Sequence, residues 1–215
     1  MSNMRESSNS SSSVRVAPQQ ERSARRLAGF LQAAAELFSE IGFEATTMQA
    51  IADRSHSSIG ALYNYFPDKQ SVATTLLSRY AEELHWRLAS LMEHSEKLST
   101  VQFAGLFIDC IIDFAQERPA YLNLHSLPIR FRRDPAARKA LRTVIANAFR
   151  TKNPSLSAER SFLAANVAVQ IVKGMVNLYL ESDAKTKPLV VAEFRRVLTF
   201  YLEEVLSSRK SRTSP

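Results

Sequence analysis

Between Leu27 and Phe66 the chain sets out three amphipathic segments, two of them very short, and that spacing constrains the fold more than any other feature. Leu27, Phe30, Leu31, Ala34, Leu37, Phe38 and Ile41 recur at steps of three and four. That is one apolar stripe, the pattern of a helix with a single buried face. Gly42 follows in a favourable C-terminal position. Thr46, with Gln49 three residues on, is a capping-box signature for a short second helix whose inner face is Met48, Ile51 and Ala52. Polar residues Arg54 to Ser58 break the pattern. Ser57 or Ser58 can cap a third short helix with Leu62 and Phe66 facing inward, and Pro67 stops it. Neither short piece is stable alone, so the first helix must supply their floor. Two short helices joined by three or four residues have the spacing of a helix-turn-helix, whose second helix enters the major groove of DNA.

The remainder also reads as helix. A fourth helix runs from Asp68 to about Glu93. A fifth runs from Ser99 or Thr100 to Arg118 and ends at Pro119. Its Phe103, Phe107, Ile108, Ile111, Ile112, Phe114 and Ala115 make it apolar on most sides, so it should be central. A short piece spans about 120–127. Asp134 and Pro135 open a helix to about Arg150, Ser157 caps one to about Glu181, and Pro188 opens the last, to about Ser208. No repeat and no clear strand is present. The expected fold is all-α with about nine helices: an N-terminal three-helix helix-turn-helix domain at 21–67 and a C-terminal helical bundle at 68–208. Seven of the first 13 residues are Ser, so 1–20 is expected to be a disordered arm. The basic tail 209–215 is expected to be frayed.

Composition excludes several classes. Of 215 residues 45% are apolar, and only 5 are Gly and 8 Pro, few for an all-β chain. The single cysteine, Cys110, rules out an intramolecular disulfide and a cysteine metal cluster. His56, His85, His94 and His125 form no i, i+4 metal-binding pair. Asp109 and Asp113 share a helix face without a partner base. No Gly-rich phosphate loop or nucleophile elbow exists, so the chain reads as no enzyme, with no cofactor and no metal. No apolar run approaches the roughly 20 residues of a membrane span, and the N-terminus lacks a secretion signal, so a cytoplasmic location is expected. The net charge is +7, yet residues 1–93 carry 9 Lys and Arg against 10 Asp and Glu, and 94–215 carry 19 against 11. Bulk charge therefore says little about DNA binding, and the motif must carry the argument.

The stretch from Ala28 to Leu76 resembles the DNA-binding domain of the tetracycline-repressor (TetR) family. The matching residues read Ala34-Ala35-Glu36-Leu37-Phe38, then Gly42-Phe43, Thr46-Thr47, Ile51-Ala52 and Gly60-Ala61-Leu62-Tyr63-Asn64-Tyr65-Phe66, ending at Lys69. The resemblance implies roles that chemistry supports. Gly60 allows close backbone approach, and Ala61 leaves the groove face small. Tyr63, Tyr65 and Lys69 resemble the family's phosphate-binding residues, with Thr47 and Ser58 as further donors. Gln49, Ile59 and Asn64 sit where base edges are touched; Gln and Asn can pair with adenine, and Ile59 can meet a thymine methyl. Arg22, Arg25 and Arg26 can reach the DNA backbone or minor groove from the arm. One departure stands out. Where the family usually has Ala-Gly-Val in the turn, this chain has Ser55-His56-Ser57. His tolerates the left-handed backbone less well than Gly, so a slightly weakened or reshaped turn is expected, with His56 either strained and solvent-facing or on a phosphate.

For the C-terminal part the resemblance implies a ligand cavity among the middle helices. The candidate lining is Trp86, Phe103, Phe107, Cys110, Phe114, Tyr121, His125, Met175 and Tyr179, with Asp113 and His125 able to orient a polar group. At helical spacing such stripes are usually core, and Cys110 in an apolar helix reads first as an inert thiol. The last two long helices resemble the family's dimer interface, through Ala164, Ala165, Ala168, Ile171, Val172 and Met175 on one and Phe194, Val197, Leu198, Tyr201, Leu202 and Val205 on the other. The basic stretch 130–152 (Arg130, Arg132, Arg133, Arg138, Lys139, Arg142, Arg150, Lys152) is a solvated face or a dock for an anionic effector. The expected function is a ligand-responsive repressor that binds a palindromic double-stranded DNA operator as a homodimer and is released by a small-molecule effector. The alternative is a small-molecule-binding helical module without specific DNA binding. No membrane partner is expected.

Overall fold

A computed structural model describes the backbone of residues 13–125 and 135–207 and, within them, the side chains of 19–124, 135–136 and 138–207. The chain divides into two compact units, one ending at Val72 and the other beginning at Ala73. Among the described residues there are ten α-helices and no strand.

In the first unit α1 spans Ser13–Glu40, α2 Gly42–Ala45, α3 Met48–Arg54 and α4 Ile59–Tyr63, and α5 begins at Lys69. The middle of the stripe on α1 is buried: Phe30, Leu31, Ala34, Leu37 and Phe38 form the floor, with Ile51, Ala52, Leu62, Phe66 and Val72 packed with it, whereas Leu27 is half-buried and Ile41, expected to face inward, is 51% exposed beyond the helix end. Three expectations need correction. The first helix begins at Ser13, not near Glu21, because extending a helix already anchored by packing adds one hydrogen bond per residue ordered. Gly42 (φ +79°) does not simply end the first helix; it opens the extra one-turn helix α2. The cap of α3 is Thr47, whose Oγ1 accepts from Ala50 N at 3.0 Å, rather than Thr46. Thr46 is buried and donates back to Gly42 O at 2.7 Å, while Gln49 turns outward and donates to Asp53 Oδ1 at 2.7 Å. A threonine pair offers two candidate caps, and burial of the first decides between them.

The second unit holds most of α5 (Lys69–Glu93), a 3-10 turn at Ser95–Lys97, α6 (Thr100–Glu117), α7 (Pro119–His125), α8 (Pro135–Lys152), α9 (Ala158–Glu181) and α10 (Lys187–Leu206). Helix α6 has a full capping box: Ser99 Oγ accepts from Gln102 N at 3.2 Å, and Ser99 N donates to Gln102 Oε1 at 2.9 Å. Phe103, Ala104, Phe107, Ile108, Phe114 and Ala115 are buried, so α6 is central as its composition predicts. Phe114 sits in an aromatic cluster, 5.1 Å from Tyr121 and 6.1 Å from Tyr80 between ring centres. Helix α9 packs on both α8 and α10 through Ala164, Ala165, Ala168, Val172 and Met175. By length and mean hydropathy α9 alone among the described helices is apolar enough to cross a membrane, which the expectation of no such run overlooked. Its inward face, however, is taken up by its own chain.

Candidate nucleic-acid interface

Helix α4 and its flanks form an open surface on the first unit. Ser58 Oγ caps α4 by accepting from Ala61 N at 3.2 Å. A hydroxyl that accepts one hydrogen bond still has its own hydrogen to donate, so Ser58 and Thr47 both retain a donor. Thr47, Gln49, Ser58, Gly60, Tyr63 and Asn64 are exposed, Tyr63 at 53%. Ile59, Ala61, Tyr65 and Lys69 are half-buried. A Cβ added at Gly60 would meet no atom of the chain within 4 Å. Glycine inside a helix costs about 1 kcal/mol relative to alanine, and neither packing nor backbone conformation asks for it here.

Two expected phosphate contacts are engaged within the unit. The Tyr65 hydroxyl lies 3.0 Å from Ser23 Oγ, and its ring meets Phe30 edge-on at 5.5 Å. Lys69 Nζ donates to Phe43 O at 2.6 Å and Glu44 O at 3.0 Å, and stands 4.4 Å over the Phe43 ring. An ammonium has three hydrogens, so Lys69 fastens the end of α2 with two of them. Neither tether is visible in sequence, because both partners lie more than twenty residues away.

The helix-turn-helix is fastened to α1 by Arg54. Its guanidinium donates to Glu40 through two bonds, of 2.9 and 2.8 Å, and to Glu36 at 3.3 Å. That hydrogen bonding holds the Glu40 carboxyl below the usual carboxylate range and raises Arg54. In the turn, His56 has φ +52°. Its N–H bonds to Asp53 O at 3.0 Å, and the Ser57 N–H reaches Ala52 O at 2.9 Å. This is a Schellman helix end with histidine in the glycine position. The turn is kept, and His56 is exposed.

In the second unit the candidate lining residues separate. A cavity of about 50 Å³ is bounded by Leu84, Leu88, Phe107, Ile111, Tyr121 and Lys173, among others. Of the eight expected lining residues whose side chains are described, Phe107 and Tyr121 line it. Phe103, Phe114 and Met175 are packed away in the core. Trp86 is 74% exposed and does not line this cavity. Asp113 is exposed as well. Tyr179 is half-buried beneath the Lys187 ammonium, 4.9 Å from its ring centre. Cys110 is half-buried, and burial pushes its thiol up, away from the reactive thiolate. The His125 side chain lies outside the described residues.

Of the residues expected at a dimer face, Ile171, Phe194 and Tyr201 are half-buried and Val197 is exposed, but the rest need correction. Ala164, Ala165, Ala168, Val172 and Met175 are buried inside their own chain, as are Leu198, Leu202 and Val205. Small residues let α8 and α10 approach α9 closely, so they serve the fold first. The apolar residues left outside on these helices are Leu163 and Leu178 on α9 and Leu189, Val197 and Phe200 on α10, with Phe200 70% exposed. In the basic stretch, Arg130, Arg132 and Arg133 lie outside the described residues. Arg138, Lys139 and Arg150 face solvent. Lys152 instead turns inward to Ser95 O at 2.7 Å and Leu98 O at 2.5 Å, where burial lowers its pKa.

Family models agree with both halves of this description. Residues 30–75 match the model described as "Bacterial regulatory proteins, tetR family", and residues 101–202 match "Tetracyclin repressor-like, C-terminal domain". The chain belongs to the TetR family. Its two matched regions correspond to the N-terminal regulatory-protein domain and the C-terminal domain of that family. Among TetR regulators it is 24% identical over 160 residues to the uncharacterised regulator YuxN of Bacillus subtilis, covering 70% of this chain and 52% of that one. It is 39% identical over 57 residues to the repressor KstR of Rhodococcus jostii, covering 26% and 27%. The chain thus spans about half the length of YuxN and about a quarter of KstR. Its fold is similar to that of a TetR-family regulator from Mesorhizobium loti, with TM-score 0.66, 21% identity and coverage of 86% and 96%. It is also similar to a TetR variant from Acinetobacter baumannii solved with minocycline, with TM-score 0.61, 20% identity and coverage of 83% and 97%.

Proposed function

We propose that this chain is a cytoplasmic repressor that binds a two-fold symmetric DNA operator as a homodimer and leaves it when a small molecule occupies the second unit. The observation that carries this reading is Gly60. It forgoes about 1 kcal/mol of helix stability at a position open to solvent, between the capped start of α4 and the exposed Tyr63 and Asn64. A surface kept that low favours close approach of another molecule. Asn64, Gln49 and Ile59 read base edges, while Tyr63, Thr47 and Ser58 donate to phosphates. Tyr65 and Lys69 contribute mainly by holding α4 and α2 in place. Gly60 and Ala61 let the duplex come near.

Homodimerisation is supported by the apolar residues left outside on α9 and α10. One reading helix covers too few base pairs for useful specificity, so two must be combined. The effector reading rests on the apolar cavity beside Phe107 and Tyr121, which at about 50 Å³ must widen to hold a ligand. Widening would select another arrangement of the α5 to α9 helices and shift the population away from the DNA-competent form. Helix α5 runs unbroken from Lys69 to Glu93 and joins the two units covalently.

Selection of bound sequences from random duplex DNA, with and without a metabolite extract, tests the reading. Enrichment of inverted repeats is expected, with half-site centres about 10 base pairs or a multiple apart, lost when extract is added. No enrichment over the input pool would overturn DNA recognition. Enrichment unaffected by any extract would overturn effector release.

A further inference from the structure

Binding to a duplex needs cations at the phosphates, and the first unit has few of them. Its described side chains include five: Arg22, Arg25, Arg26, Arg54 and Lys69. Arg54 is committed to Glu36 and Glu40, Lys69 to two carbonyls, and Arg25 to Glu21. Arg22 and Arg26 are exposed, and neither makes an ion pair among the described residues. Among the described side chains of this unit, they are the two cations without an interaction partner.

Their position is set by α1. Arg22, Arg26, Gly29, Ala33, Glu36 and Glu40 follow one another at alternate steps of four and three, which is a single stripe along a helix. The lower end of the stripe, Glu36 and Glu40, faces α3 through Arg54. Ala33, midway, is buried. The same stripe then emerges into solvent at Gly29, Arg26 and Arg22. This happens at the level where Ser23 meets Tyr65, just past the end of α4. The two arginines thus stand on the helix-turn-helix side of α1, at the rim of the open α4 surface. Arg25, three residues after Arg22 and four before Gly29, borders the stripe, but its guanidinium is paired with Glu21. Gly29, inside α1, shares one feature with Gly60 near the start of α4: an added Cβ would meet nothing within 4 Å.

We propose that Arg22 and Arg26 form a phosphate-binding ridge on α1 that extends the DNA footprint of each reading unit beyond the helix-turn-helix. The ridge rests on the DNA-binding reading above. It is part of a helix rather than a flexible arm, and Arg25 has no share in it.

The test uses the full chain and a mixed-sequence duplex, with affinity measured over a salt series. Each phosphate contact contributes a slope of about −0.9 in log affinity against log salt. The double variant Arg22→Gln/Arg26→Gln should therefore be shallower than the parent by about 1.8. Arg25→Gln should keep the parent slope, and so should Arg22→Lys/Arg26→Lys, which retains both charges. A folded double glutamine variant with the parent slope would overturn the ridge. An equal loss in Arg25→Gln would overturn it too, by showing only a general charge effect. If the parent chain bound no duplex at any salt concentration, the DNA-binding reading itself would fail, which is a distinct outcome.

Discussion

The glycines of the two units behave in opposite ways. In the first unit, Gly29, Gly42 and Gly60 have no atom within 4 Å of where a Cβ would stand, and of these Gly42 alone has the positive φ that asks for glycine. In the second, a Cβ on Gly174 would touch the Phe194 ring at 3.5 Å, and one on Gly105 would press the Arg195 guanidinium at 2.9 Å, beside its pair with Asp109. Small residues in the second unit make room for the chain itself. At Gly29 and Gly60 no atom of the chain uses that room. Alanines follow the face rather than the unit: Ala164, Ala165 and Ala168 on α9 and Ala34 and Ala52 in the first unit are buried, while Ala61 on α4 is half open. Residue size alone therefore does not distinguish a binding face from a packing face; burial does.

The difference can be broken by changing each unit and reading both stability and DNA affinity. The largest effect is expected at Phe107, buried in the second unit. Phe107→Ala should cost about 3–5 kcal/mol of stability by leaving a cavity, seen as an earlier denaturant midpoint. DNA affinity measured well below that midpoint should be retained. Loss of affinity in the folded variant would erase the distinction between the units. Asn64→Ala comes next. It should leave stability within about 0.5 kcal/mol but relax discrimination at one base position by about 1–3 kcal/mol, read from affinities for single-base operator variants. Equal weakening on every sequence would make Asn64 a phosphate contact instead.

Much of this contrast could be read before any coordinates. The stripe from Leu27 to Ile41 dictates the floor of the first unit, because a period near 3.6 has one structural solution. The place of α4 follows from Ser58, Leu62 and Phe66. The Ser55-His56-Ser57 departure marks the left-handed residue before it is seen. What could not be read is anything that depends on partners distant in sequence. The Arg54 tether, the Ser23–Tyr65 contact and the capture of Lys69 by α2 all close only in three dimensions. In the second unit the limit is sharper. Periodicity says that a helix has an apolar face but not what covers it. Hence Trp86 was expected in a cavity and lies outside, and the α9 alanines were expected between subunits and lie within one.

His56→Gly should sharpen the comparison from the stability side. A left-handed non-glycine residue costs roughly 1–2 kcal/mol, and part of that should be regained. A rise of about 1 kcal/mol in unfolding free energy with unchanged DNA affinity is expected. A fall would show that the exposed imidazole itself contributes. The smallest effect concerns acid. Arg54 lowers the Glu40 carboxyl, so the stability from that pair is present above the unfolded carboxylate value of about 4.3. It is lost as pH falls through the lower folded-state value. Glu40→Gln should flatten that acid limb in a pH series of denaturant melts, and an unchanged limb would show that the tether adds nothing.

The central claim is that α4 is kept low so that a duplex can lie against it. Gly60→Leu tests this most directly, with thermal melting and affinity for a selected operator measured on the same sample. Leucine is a better helix former than glycine, and at this exposed position its Cβ would meet no atom of the chain within 4 Å. The account predicts melting at or above the parent temperature together with binding weakened about a hundredfold, near 2.8 kcal/mol. Full affinity in a stably folded Gly60→Leu protein would contradict it.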